Sequence, residues 1–368
     1  MTLQKKNIKP IAIALTLLLS GCLFTNSKNM ETKFKWWSAW DAPKYYRVQL
    51  LNGAFILPEK GEISLMGAPT PGQSWGGGSC ESGGDMYPVP EGLYVYWYSF
   101  TEDKFYEGAF KLPQDTMLHY FREGFNRRRV KKHITYNNIV VGLAPGGVVA
   151  VWLKGDGKEV EIGYFKAKET EGIPWQKFFD SFYYRNLKDS AWTVYRQEML
   201  EGDAADHLER YGIPFGVWDT YRERFNFRMV MVYEDPASIT DEIYVEYYNG
   251  EKESLSLERL AENPFEKRAR IRYVNAYWSF GETYRKMIIE FNEEEVFEAY
   301  EKIYEGNPDT PVELQIVLDE NNHYVYLFLV RTEQGNFKRV QLRHAKINWY
   351  PAGGFDIRNS EVFKKKNN

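Results

Sequence analysis

Apolar and polar positions fall into the same order twice along this chain. From Tyr94 the stretch YVYWYSFTEDKFYEGAFKLPQDTMLHYFREGF runs through Trp97-Tyr98-Ser99-Phe100, turns at a short polar segment, returns as a strand, and continues with Met117, Phe121 and Phe125 at helical spacing. From Tyr273 the stretch YVNAYWSFGETYRKMIIEFNEEEVFEAYEKIY does the same through Trp278-Ser279-Phe280, with Val296, Tyr300 and Tyr304 in the helical positions. Setting Leu112 against Phe291 aligns the two stripes without a gap, and i, i+4, i+8 spacing predicts a hairpin followed by an amphipathic helix in each half. The first helix is expected over Asp115 to Asn126, and Asn292 with Glu295 fits a capping box at the start of the second.

Shorter runs extend the parallel. Asn138 to Leu143, Val148 to Lys154 and Glu159 to Lys166 read as a meander turning at Pro145-Gly146-Gly147 and Gly155-Asp156-Gly157. Val312 to Leu318, Tyr324 to Arg331 and Phe337 to Ala345 repeat it. Trp40-Asp41 before a strand at Tyr45 to Leu51 is set against Trp218-Asp219 before a strand at Phe225 to Tyr233, an Asp fixing a turn and a Trp plugging a core end. Between the halves, Trp175 to Phe182 and Ala191 to Glu209 read as helices with apolar faces. The expectation is an α+β protein of two similar domains, each a mostly antiparallel sheet with an inserted helix, joined by a helical connector. The domains are placed at 34–171 and 213–350, the connector at 172–212, and a flexible tail at 351–368.

The N-terminus carries an address. A basic start and an apolar run from Ile11 to Leu19, too short to span a bilayer, lead to Leu19-Ser20-Gly21-Cys22. This resembles the lipobox of bacterial lipoproteins, which implies a signal peptide over 1–21, lipidation of Cys22 with palmitate among the chains, and a polar tether over 22–33. Acyl chains contribute about 0.8 kcal/mol per buried methylene, so such an anchor is nearly irreversible. Leu23 in place of an Asp after the cysteine implies the outer membrane, facing the periplasm, with a surface-exposed position as the alternative.

Composition narrows the chemistry. The chain is 43% hydrophobic and 17% aromatic with a net charge of −4, which argues against nucleic acid as a partner. The Gly/Pro-rich stretch Gly67 to Gly92 has no counterpart in the second half, where Asn249 to Arg272 is charged instead. It lacks a GxxxxGK[ST] pattern, so it is a long loop and not a phosphate cradle. Trp75 within it is either a contact residue for a partner or a plug that folds back onto its own sheet. Tyr87 closes the stretch, and Arg127, Arg128 and Arg129 begin a basic run that either meets an acidic partner or stays solvated. Cys80 has no second thiol after lipidation and no nearby base, so it reads as free or paired between chains. His119, His133, His207, His323 and His344 are scattered without metal-ligand spacing, and no cofactor or metal is expected.

Taken together, the lipobox, the Trp-Asp opening, the Gly-rich loop and the Tyr-Trp-Tyr-Ser-Phe hairpin with its helix resemble the bacterial lipoprotein family of domain of unknown function 2931. The resemblance covers about Trp36 to Phe182, with the second half a more divergent copy. It implies fold and location and carries over no catalytic residues. It also suggests an immunity partner of a secreted phospholipase toxin. The function expected is binding of an envelope or secreted protein by a tethered, non-enzymatic lipoprotein; the alternative is an envelope hydrolase with an unrecognised active site.

Overall fold

A computed structural model describes residues 32–66, 75–79, 81–126, 132–172, 190–280, 283–333 and 336–351. Cys22, Cys80, Arg127, Arg128, Arg129 and the segment Trp175 to Phe182 lie outside them. The opening strand β1 (Lys33–Asp41) places Phe34, Trp36 and Trp40 in the core. It is followed by β2 (Val48–Ile56), β3 (Glu62–Ser64) and β4 (Ser82–Pro88). The aromatic hairpin is β5 (Gly92–Ser99) and β6 (Lys104–Lys111), and it feeds helix α1 (Gln114–Glu123). A short pair, β7 (Phe125–Asn126) and β8 (His133–Ile134), precedes the meander β9 (Asn138–Ala144), β10 (Val148–Gly155) and β11 (Lys158–Lys166), and β12 (Lys168–Thr170) follows.

Among the described residues three helices lead into the second half: α2 (Ser190–Met199), α3 (Asp203–Tyr211) and α4 (Val217–Tyr221). Then come β13 (Phe225–Tyr233), β14 (Ile239–Tyr247), β15 (Lys252–Ser256), α5 (Leu257–Glu262) and β16 (Glu266–Arg268). The second hairpin is β17 (Ile271–Phe280) and β18 (Thr283–Glu290), followed by α6 (Glu293–Tyr304), β19 (Val312–Leu318), β20 (Val325–Glu333), β21 (Asn336–Leu342) and β22 (Lys346–Pro351).

The chain is mostly strand with several sheets, in keeping with the α+β expectation. One five-stranded sheet runs β12-β6-β5-β2-β3 and another β16-β13-β19-β20-β21, while a ten-stranded sheet runs β22-β18-β17-β14-β15-β11-β10-β9-β1-β4. The ten strands divide into two fives whose orders match the smaller sheets: β22-β18-β17-β14-β15 follows β12-β6-β5-β2-β3, and β11-β10-β9-β1-β4 follows β21-β20-β19-β13-β16. In both halves the first strand pairs in parallel with the first strand of the meander, β1 with β9 and β13 with β19. Each half encloses its own core, one around Trp36, Trp97, Phe121 and Val151, the other around Phe227, Trp278, Tyr300 and Ile316. Residues Lys33–Asn368 cluster as one compact unit, and the sheet crosses between halves through two residue pairs of β11 and β15, Lys158 with Glu253 and Glu159 with Lys252.

Several local expectations change. The Trp-Asp pairs are not counterparts, since Trp40-Asp41 ends strand β1 whereas Trp218-Asp219 lies in helix α4; topologically β1 matches β13, and β2 matches β14. Residues read as one helix from Ala191 to Glu209 form two, interrupted at Gly202, whose φ of 71° breaks the helical path. Helix α1 stops three residues earlier than expected, because Gly124 turns left-handed at φ 61°. Phe125 therefore leaves the helix and packs on Tyr136 at 4.9 Å, while Tyr304 remains helical and buried.

The cap of α6 forms in part as the sequence implies. Asn292 Oδ1 accepts the Glu295 amide at 3.0 Å, but the Glu295 carboxylate reaches across to the Arg343 and His344 amides at 2.6 and 2.9 Å. The helix therefore anchors the segment after β21 as well as closing its own first turn. Loss of an N-cap acceptor costs about 1 kcal/mol, and glycine restores most of it by exposing the amides to water. Asn292→Ala is expected to lower denaturant-measured stability by that amount and Asn292→Gly by a few tenths; equal losses in both would show that the side-chain cap contributes nothing.

Candidate functional site

Strands β9 and β10 are apolar without interruption, IVVGLA and VVAVWL, so both faces must be covered. Inward, Ile139, Val141, Leu143, Val149, Val151 and Leu153 enter the first core. Outward, Val140, Ala150 and Trp152 join Ala39 of β1 in a second cluster that is also buried. Its cover comes from residues 75–79 in the Gly-rich stretch, which is not loop throughout because Ser82–Pro88 pairs as β4 with β1, and from the turn between β14 and β15.

Trp75 stands edge-on to Trp152, with centroids 4.9 Å apart and rings at 86°, and lies 6.1 Å from Trp218. The Trp152 indole donates to the Asn249 carbonyl at 3.1 Å, tying the first-half strand to the second-half turn. Gly76 and Gly250 meet back to back, both at positive φ, so closely that a Cβ on Gly76 would sit 2.7 Å from the Gly250 carbonyl oxygen. Gly142 forms the floor: a Cβ there would lie 2.6 Å from Trp152 and 2.7 Å from Trp75. The Lys154 ammonium donates to the Gly77 carbonyl, and the Ser79 amide to the Trp40 carbonyl at 3.1 Å.

Beyond Trp218 the aromatic packing continues. Tyr46 meets Trp218 edge-on at 5.5 Å, and Trp218 stacks on Tyr221, which stacks in turn on Tyr248. Tyr221 donates its hydroxyl to Glu293 at 2.6 Å, at the start of α6. Burial raises the pKa of both groups, and the nearby carboxylate adds to the rise at Tyr221. His207 stacks on Tyr45 at 4.1 Å and approaches the Tyr46 hydroxyl at 3.1 Å. Burial, helped by Lys44, lowers its pKa, and burial pushes Tyr46 up to about 12.

A charged seam runs beside this cluster. Glu159 is fully buried and pairs with Lys252 at 2.7 Å; burial pushes it up to about 7 against the pull of Lys252 and Lys154. Glu161 holds Arg222 at 2.7 Å and Glu251 holds Arg224 at 2.7 Å. Burial works against the Glu253 carboxylate, yet Arg268 at 2.6 Å, Lys158 and the Tyr247 hydroxyl together keep its pKa below the usual range. Among the described residues no group of three or more His, Cys, Asp or Glu side chains is placed to hold a metal ion.

Of the residues the sequence singled out, Trp75 is half-buried in its own packing. Tyr87 is also half-buried, edge-on to Trp36 at 5.6 Å on β4, an edge strand of the large sheet. The structure does not bring these two together with His119 or His344, which pair with Glu123 and Glu295 at the surface. Trp152, Gly142, Asn249 and Gly250 escaped the sequence reading. Their signal was the unbroken apolar run of β10, whose outward Trp demands a cover.

Two outcomes follow. Forcing a methyl group into a packed contact costs about 1–3 kcal/mol, so Gly142→Ala should lower stability by that amount, and by less in a Trp75→Ala background where one clashing ring is gone. Equal costs in both backgrounds would place Trp75 elsewhere. Glu159 gives a pH signature. Its folded pKa lies above the unfolded value, so between about pH 4.5 and 7 the folded state retains a proton that the unfolded chain has released, and stability falls as pH rises through that window. Glu159→Gln should flatten that part of a stability–pH profile; an unchanged slope would refute the assignment.

A family model described as protein of unknown function (DUF2931) matches residues 24–216, just over half of the chain. No curated protein and no solved structure matches.

Proposed function

Because the chain belongs to the DUF2931 family, whose description assigns no activity, we propose from the surface itself that it is a membrane-tethered envelope lipoprotein that binds a protein partner. The observation that carries this reading is a contrast between equivalent faces. In the first half the outer face of β1, β9 and β10 is covered by residues 75–79 and the Asn249-Gly250 turn. In the second half the matching face of β13, β19, β20 and β21 has large rings in the open: Tyr326 is 44% exposed with Tyr324 at 65% just before its strand, and Phe337, 62% exposed, lies opposite Thr332 at the other end of β20. Val232, Val317 and Tyr326 lie side by side in register, and the Arg339 guanidinium covers Phe328. Exposed aromatic groups with an arginine are the composition of protein-binding surfaces.

The tether follows from Leu19 to Cys22, outside the described residues, and would hold the protein at the periplasmic face of the outer membrane. Among the described residues no helix is long and apolar enough to cross a membrane. The matching strand orders support two duplicated domains, 34–171 and 213–350, joined by 172–212. The partner we propose is a membrane-acting secreted protein, such as a phospholipase toxin that this chain would neutralise. The hydrolase alternative has less support: Glu159, Glu161, Glu253 and Glu293, whose titration is shifted, hold Lys252, Arg222, Arg268 and Tyr221 respectively.

The test is recovery of the detergent-solubilised protein from membranes as wild type, Tyr326→Ala and Cys22→Ser. Wild type should carry a stoichiometric partner and palmitate label, Cys22→Ser should lose the label, and Tyr326→Ala should weaken partner binding by ~2 kcal/mol while folding normally. Absence of a stoichiometric partner, or unchanged binding by Tyr326→Ala, would overturn the surface. Unchanged survival of a deletion strain against every lipase-bearing sibling would remove the toxin version.

A further inference from the structure

Two strand edges are left over when the halves join. The ten-stranded sheet combines the meander sheet of the first half with the hairpin sheet of the second, and the two meet where β11 pairs with β15. The hairpin sheet of the first half ends at β3 and the meander sheet of the second ends at β21. Among the described residues neither edge has a hydrogen-bonded strand on its outer side. These edges are the counterparts of the two that join. Strands β15 and β3 each follow a turn closed in the same way, from the Tyr247 amide to the Glu251 carbonyl at 3.0 Å and from the Leu57 amide to the Gly61 carbonyl at 2.8 Å. Glu62 and Ile63 therefore correspond to Lys252 and Glu253. Gly155 pairs with Lys158 at the end of one meander as Glu333 pairs with Asn336 at the end of the other. Asn336 and Phe337 therefore correspond to Lys158 and Glu159.

Were the halves related by a two-fold axis, both joints would close within one chain. Only one does, so the halves meet head to tail, and a head-to-tail contact propagates into a ring or a filament. We propose that β21 of one copy pairs antiparallel with β3 of a second copy, building another ten-stranded sheet in the order of the first. Charge favours this pairing over its rivals. The β3 end exposes Glu59 and Glu62 against Lys60, with Glu91 beside them, whereas β21 carries Lys338 and Arg339. Each edge therefore repels its own kind and attracts the other. The Ser64 carbonyl is taken by the Ser38 and Ser82 hydroxyls. That leaves Glu62 and Ile63 of β3, as many residues as β15 gives to β11. Phe337, 62% exposed, lies where the joint would cover it. Tyr326 lies towards the other end of β20, so the inference goes beyond the partner binding proposed there.

Sedimentation velocity of the detergent-solubilised full chain at rising concentration tests the joint. Wild type should grow past the dimer, because each added copy presents a fresh edge. Phe337→Glu sets a carboxylate opposite Glu62 and should weaken association about tenfold or more. Adding Glu62→Lys to that variant recreates the Glu159–Lys252 pair of the internal joint and should restore assembly. Both positions are exposed, so neither change enters a core. Tyr326→Ala should assemble as wild type does, which separates this contact from the partner surface. A wild type that stays monomeric at every concentration, growth that stops at the dimer, assembly by Phe337→Glu equal to wild type, no rescue by Glu62→Lys, or loss of assembly in Tyr326→Ala would overturn the proposal.

Discussion

Everything at the centre of this molecule depends on giving cover to an outward-facing tryptophan. Trp152 lies on a strand already committed to the first core through Val149, Val151 and Leu153, so its ring rises on the far side of the sheet. An indole left in water there would forgo on the order of 2–3 kcal/mol of apolar burial and leave its N–H competing with solvent. The chain closes it in with Trp75 from one direction and the Asn249 carbonyl from the other. The bare backbones of Gly76, Gly142 and Gly250 are what allow three segments to approach so closely.

Beside this packing the ion pairs have a different role. The sheet passes between the halves through only two residue pairs, and that ladder alone would hold little. Buried salt bridges recover their desolvation cost at best in part, whereas breaking one leaves an uncompensated charge at about 3–5 kcal/mol. Glu159–Lys252, which joins β11 to β15, therefore penalises a shifted register more than it rewards the correct one. The aromatic cluster running through Trp75, Trp218 and Tyr221 provides the attraction. The seam provides the alignment, and its charges also keep two strand edges from pairing with other chains.

Much of the fold was legible because periodicity carries it. The hairpins, both helices and both meanders follow from alternation and from the i, i+4 stripes, with limits displaced by single glycines such as Gly124. The Trp-Asp equivalence failed because a dipeptide has no period: the same two residues end a strand at Trp40 and sit in a helix at Trp218. The junction was harder still. Glu159 and Glu161 alternate with Val160 and Ile162 as on any solvated strand face, and nothing local says that β15 will lie against them. The local sequence is equally silent on Trp75, since its contacts with Trp152 and Trp218 span 77 and 143 positions.

The Gly76–Gly250 contact has a further consequence for how the chain comes into being. Ribosomes deliver the floor of the first half, through Trp152, long before Asn249 and Gly250 emerge. Until then the nascent first half has a hydrophobic face covered only from the Trp75 side and an unpaired β11 edge, the exposures that draw newly made chains into aggregates. Closure must wait for the second half, so the element that completes the older part of the molecule is among the later ones to be translated.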